Sequence, residues 1–181
     1  MSKEKYILKT RRWLANFVIG YNLCPFAKLP FQTNKIRYRV YEGTDLEQLA
    51  LDLTDQILLL KAIPASEIET TLFIHPNILN DFYDYNDFLE IADNILLQTG
   101  MTGEIQIASF HPDYQFAGTE HADAENFTNR APFPMLHLIR EESVEKARTF
   151  YPDIEGIPDR NIEKLRELGT EEILRISNNE Q

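Results

Sequence analysis

Apolar residues recur along this chain with two different periods. Over residues 4–20, Tyr6, Ile7, Trp13, Leu14, Phe17 and Val18 fall at helical spacing, and Gly20 closes the segment. Pro25 and Pro30 then break any regular element over 21–34. Residues 35–43 switch to period two: Ile36, Tyr38 and Val40 alternate with Arg37, Arg39 and Tyr41, the pattern of a half-buried strand. Thr44 and Glu47 have the spacing of a capping box, and Leu46, Leu49, Leu53, Ile57 and Leu60 stripe the helix that follows, up to Pro64. Residues 68–76 read as a second strand. A third helix opens near Asn86 and stops at Gly100. "GEIQIASF" and "MLHLIRE" are the third and fourth strands. Ser143 is placed to cap a further helix, and a last helical stretch runs into a polar tail over 172–181.

This order predicts a single-domain layered α/β fold over residues 1–181, with residues 1–20 as an N-terminal helix and a four-stranded mixed sheet. Strands 1–3 are joined by helical crossovers and should run parallel with right-handed connections. Strand 4 follows a long loop, 111–134, and is free to run antiparallel. An α+β arrangement is the alternative. So long a stretch without helical or strand period is uncommon in a compact domain unless it serves as a lid or binding loop, or is disordered.

Net charge narrows the partners. The 181 residues carry a formal charge of −11, which excludes sequence-independent nucleic-acid binding and an anionic membrane surface. A small-molecule substrate remains, and the acidic surplus suits a cationic one. A homo-oligomer is left open. One cysteine, Cys24, rules out an internal disulfide and a zinc cluster. With no apolar leader or spanning stretch, the expected location is cytoplasmic.

Two strands end in His-Pro, at His75 and His111. Proline ends the ladder and holds the preceding residue extended, so parallel strands would bring both rings to one sheet edge, where α/β proteins collect ligands. The same pattern is also a plain strand stop. His111 has Asp113 and Tyr114 beside it, and the loop returns through Asn126, Asn129 and Arg130, stiffened by Pro132 and Pro134. Arg130 is a candidate anion clamp or a structural tie for the loop. His137, between apolar strand neighbours, reads as a hydrogen-bonded core residue more readily than as a ligand, and Arg140 as a pocket residue or an ion-pair partner. Cys24 is a nucleophile candidate or a small buried hydrophobe. His121 reads as solvated loop.

The segments "NLCPFA", "ASFHPDYQF" and "NFTNRAPFPMLHLIRE" together resemble a family of small bacterial proteins catalogued as a domain of unknown function, DUF1415. A fainter similarity is to the YcgG-like haem-dependent N-hydroxylases, carried by a strand ending in His-Pro, an Arg-bearing segment, a Pro-x-Pro and another apolar strand. That resemblance implies a haem-dependent oxidoreductase with His111 as the iron ligand. Arg130, with Arg37 or Arg140, would then meet the propionates, with Asn129 and His137 nearby. This chain is shorter than that group and spreads the His-to-Arg segment over a longer loop. Two other readings use the same residues: a cofactor-free enzyme on a small anionic substrate, with His111 as acid or base and Arg130 as clamp, and a non-enzymatic metabolite-binding module.

Overall fold

The computed structural model describes residues 1–151 and 153–177. Its helices are α1 (Lys3–Trp13), α2 (Lys28–Gln32), α3 (Leu46–Ala62), α4 (Phe82–Gln98), α5 (Glu141–Phe150), α6 (Ile157–Leu168) and α7 (Thr170–Ser177). A π-helical segment, Leu14–Ile19, continues α1, and a 3-10 turn, Ala124–Thr128, interrupts the long loop. The strands are β1 (Ile36–Val40), β2 (Thr70–Ile74), β3 (Ile105–Phe110) and β4 (Met135–Arg140). Of the tail predicted over 172–181, the first part lies in α7 and residues 178–181 fall outside the described residues.

The local caps differ from the sequence expectation by a few positions. Asp45, not Thr44, caps α3, its carboxylate accepting from the Gln48 amide. Asp81, not Asn86, caps α4 through the Tyr83 and Asp84 amides. Asp competes equally well for either role, and the chain direction at the strand exit decides which residue is extended enough to serve. Ser143 lies inside α5, which starts directly at the end of β4.

The sheet is mixed, in the order β1-β2-β4-β3. β1 and β2 pair in parallel, and β4 lies antiparallel between β2 and β3. Strand β3 therefore shares the direction of β1 and β2 without touching either. The carboxyl ends of all three, Val40, Ile74 and Phe110, reach one edge together with the start of β4 at Met135.

Alternation on the strands divides the core into two. On one face Phe73, Leu136, Leu138 and Ile105 pack against the stripes of α3 and α4, among them Leu49, Leu53, Ile57, Phe88 and Ala92. On the other, Leu72, Ile74 and Met135 pack against Tyr6, Trp13, Leu14 and Phe17, joined by Leu165 of α6 and Ile173 of α7. Each sheet face is thus covered by helix, the layered solution expected when strands alternate with amphipathic helices. No described helix is long and apolar enough to cross a membrane.

Candidate functional site

Both His-Pro histidines stand at the common strand edge, on the side of α3 and α4. His111 is 0 % exposed. Its ring sits 5.0 Å from that of Tyr85 and 5.4 Å from that of Phe82, both in the first turn of α4. The Asp113 amide donates to Nδ1 at 3.0 Å, so Nδ1 carries no proton. The proton is on Nε2, which donates to the Leu79 carbonyl at 3.1 Å. Burial pushes the His111 pKa down, opposed by Leu79 and by the charge of Asp113. This imidazole is neutral and both its nitrogens are in use.

His75 differs in one respect. It is also 0 % exposed and stacks on Tyr85, with ring centroids 5.9 Å apart and planes at 19°. Its Nδ1 donates to the Ile78 carbonyl at 3.2 Å. Nε2 then holds a lone pair, and it has no hydrogen-bond partner among the described residues. Burial pushes this pKa down to about 4. Tyr85 ties the cluster to the sheet: its hydroxyl accepts from the Phe110 amide and donates to the Met135 carbonyl, each at 2.9 Å. The turn between β2 and α4 supplies both carbonyls that hold the histidines. Within it Leu79 has φ +58°, a left-handed conformation that costs a bulky side chain of order 1–3 kcal/mol.

The long loop is packed by its own side chains, as in an Ω-loop. Asn126, 0 % exposed, is its hub. Its Oδ1 accepts from the Phe116 amide and the Thr119 hydroxyl, and its Nδ2 donates to the Glu120 carbonyl. Asn129 ties the loop to β3, its Nδ2 donating to the Ser109 carbonyl and its own carbonyl accepting from the His111 amide. Arg130 stacks over Phe127 at 4.6 Å and donates to the carbonyls of Tyr114 and His121. Its guanidinium thus fastens the loop. Asp113 and His121, both exposed, approach at 3.9 Å, and the Tyr114 ring packs on Phe82 at 5.2 Å.

The structure gathers His111, Asp113, Tyr114, Asn129 and Arg130 around this edge and leaves the remaining candidates elsewhere. His137 is on the opposite face of the sheet, its Nε2 2.6 Å from the Thr70 hydroxyl. Arg140 ends β4, which runs the other way, so it lies at the amino edge of β1–β3. There it donates to the carbonyls of Ile63 and Ile68 and lines a hollow of about 400 Å³ with Lys61, Glu104 and Glu142. Arg37 faces α3 and donates to Gln56. A second hollow, about 250 Å³, lies between α3 and α4. Cys24 packs against the α1-side core, and burial pushes its thiol pKa up. At pH 8 it should therefore react with a bulky disulfide reagent at least about tenfold more slowly than a free cysteine peptide, and match the peptide only in denaturant. Peptide-like rates in the native protein would show an activated thiol.

Haem needs an axial donor with a free lone pair, cationic groups for the propionates and an apolar slot. His111 offers no lone pair, Arg130 is committed to two carbonyls and Arg140 is at the far edge, so these residues do not fit that group. The sequence assigns no role to Tyr85 or Phe82. Its repeated His-Pro places the His75 and His111 rings at one edge, with a plain strand stop as the other reading of His75, and the structure brings the two rings together against Tyr85. Among the described residues no group of three or more His, Cys, Asp or Glu is arranged to hold a metal ion. No curated protein and no solved structure matches the chain. A family model does, across residues 5–175, and by that match the chain belongs to the family described as protein of unknown function, DUF1415.

Proposed function

We propose that this protein takes a small molecule bearing an N–H or O–H donor at the carboxyl edge of its sheet, and that His75 is the group that reads it. The observation that carries this is the Nε2 of His75, a buried lone pair with no partner among the described residues. A buried polar atom left unpaired costs about 1–3 kcal/mol, and native structures retain few. This one lies where α/β sheets bind ligands. A pKa near 4 keeps it unprotonated at every physiological pH. It is thereby a constant acceptor and a weak base, which suits recognition of a donor more than proton abstraction from an unactivated carbon. Entry requires the β2–α4 turn to move, since the carbonyls of Ile78 and Leu79 close over both rings.

An acid–base enzyme is the second reading, favoured by the strained Leu79 beside two neutral imidazoles and a tyrosine, because such strain collects at active sites. The chain's net charge of −11 supports a neutral or cationic ligand in either case.

His75→Phe tests the reading: it keeps an aromatic ring against Tyr85 and deletes the lone pair. Wild type and variant are purified from one host, denatured, and their released small molecules compared by mass spectrometry. The expected result is a donor-bearing compound released by wild type and missing from the variant. Identical profiles, with the variant more stable than wild type, would show an empty and merely tolerated orphan.

A further inference from the structure

The strand order makes β1 and β3 the two edges of the sheet. The two edges differ in charge. β1 carries Arg37 and Arg39, and charged side chains on an edge oppose pairing with another sheet. β3 has no charged residue and no proline from Ile105 to Phe110. On it Gln106 is exposed and the residues from Ile107 to Phe110 are half-buried.

The ladder decides which backbone groups of β3 face outward. In an antiparallel pair, every second residue exchanges hydrogen bonds with the residue opposite it. The Glu141 amide donates to the Glu104 carbonyl at 3.0 Å, one step beyond the paired Ile105 and Arg140. Gln106, Ala108 and Phe110 therefore turn their amides and carbonyls toward β4. The other side of β4 agrees. There the His75 amide donates to the Pro134 carbonyl at 3.0 Å, which assigns Leu136 and Leu138 to β2 and leaves Met135, His137 and Ile139 for β3. Ile105, Ile107 and Ser109 thus point their backbone groups out of the sheet. The Ile105 amide donates to the Met101 carbonyl at 3.0 Å, and the Ser109 carbonyl accepts from Asn129 Nδ2 at 3.0 Å. The Ile105 carbonyl, both groups of Ile107 and the Ser109 amide have no partner among the described residues.

These groups are complementary to themselves. When two copies of β3 lie antiparallel about a two-fold axis through Ile107, each Ile107 amide meets the other Ile107 carbonyl. Each Ser109 amide meets the other Ile105 carbonyl. Every open donor then finds an open acceptor, and the groups left over are the two already bonded within the chain. We propose that β3 is a dimerisation edge, pairing antiparallel with β3 of a second copy of this chain about Ile107. Ile107 then stands opposite its symmetry mate, an apolar β-branched pair of the kind that stabilises adjacent strands. A formal charge of −11 on each chain opposes self-association, so contact is favoured along an uncharged edge. Joining β3 to β1 of another copy would be head-to-tail and would leave a free edge at each end. The β3–β3 pairing is isologous and closes at two chains. It leaves His75 untouched.

Sedimentation equilibrium of the full chain over a concentration series is the first test, and a reversible monomer–dimer equilibrium is expected. Ile107→Lys and Ile107→Glu each set like charges face to face on the axis and should weaken association about tenfold or more. Circular dichroism checks that both are folded. Mixed in equal amounts, the two variants should dimerise again, because an axis through residue 107 sets opposite charges face to face. Hydrogen exchange gives a readout that needs no substitution. The Ile107 and Ser109 amides of wild type should be protected at high concentration and lose protection on dilution, while those of Gln106 and Ala108 stay protected throughout. A wild-type chain that remains monomeric across the series overturns the proposal. So does a dimer whose Ile107 amide exchanges freely, one that neither substitution weakens, or a variant mixture that stays monomeric.

Discussion

Acidification from pH 6.5 to 4 is expected to destabilise the protein steeply, by roughly 3 kcal/mol for each of His75 and His137. Both imidazoles are neutral, His75 buried and His137 half-buried, and desolvation pushes each pKa from 6.5 down to about 4. The unfolded chain takes up these protons near pH 6.5. Between the two values the unfolded state therefore binds more protons than the folded one, and stability rises with pH. Below about 4 both states are protonated and this contribution levels off. The rings have little to offset the charge: His75 faces Tyr85, Phe73 and the neighbouring His111, and His137 faces Thr70 and Phe110. Denaturant unfolding at half-unit pH steps measures the effect. His75→Gln and His137→Gln should each flatten the limb between pH 6.5 and 4, and the two effects should add, because the residues lie on opposite faces of the sheet. If both variants follow the wild-type pH profile, the acid limb belongs to other groups.

Asn126→Ala is expected to cost about 2–4 kcal/mol and to release the loop at 111–134. The substitution removes three hydrogen bonds of 2.8–2.9 Å from a fully buried side chain, and it leaves the Phe116 amide without its acceptor, while the Glu120 carbonyl keeps only the Asp123 amide. Hydrogen exchange reads the consequence directly: the Phe116 amide should lose its protection while amides of β2 and β4 keep theirs. The Arg130 guanidinium, which spans from Tyr114 to His121, should loosen with it. A Phe116 amide as protected in the variant as in wild type would show that the loop is held by its contact with α6, where Glu125 pairs with Arg166, and not by its own hub.

Much of the fold was legible because amphipathic periods are local. The stripe of Leu49, Leu53, Ile57 and Leu60 on α3 and the alternation of Ile36, Tyr38 and Val40 on β1 each need only a few residues to be recognised, and the core uses them as expected. The meeting of His75 and His111 at one edge was legible for the same reason, since helical crossovers force β2 and β3 into one direction. Helix starts were less so. Asp45 and Thr44 are both competent caps, as are Asp81 and Asn86, and local chemistry does not rank them.

The site was read only in part. The chemistry of a histidine depends on which nitrogen holds the proton, and that is set by partners the folded chain brings to the ring: the Asp113 amide and the distant Leu79 carbonyl for His111, the Ile78 carbonyl of the adjoining turn for His75, and the distant Thr70 hydroxyl for His137. Arg130 reads in the sequence as an anion clamp or a tie for the loop, and in the folded loop it donates to the backbone carbonyls of Tyr114 and His121.

By itself the sequence determined the layers, the common direction of β1, β2 and β3 and the absence of any long apolar span, because each follows from periodicity and from the reach of a crossover. Only the tertiary structure decided that β4 enters between β2 and β3. That insertion sends Arg140 to the far edge and His137 to the far face. Only the tertiary structure, too, shows a buried imidazole nitrogen of His75 without a partner among the described residues. The physical reason is the same in each case: strand order and buried hydrogen-bond pairing are long-range choices, fixed by which faces can be covered together and which polar groups can then still find a partner.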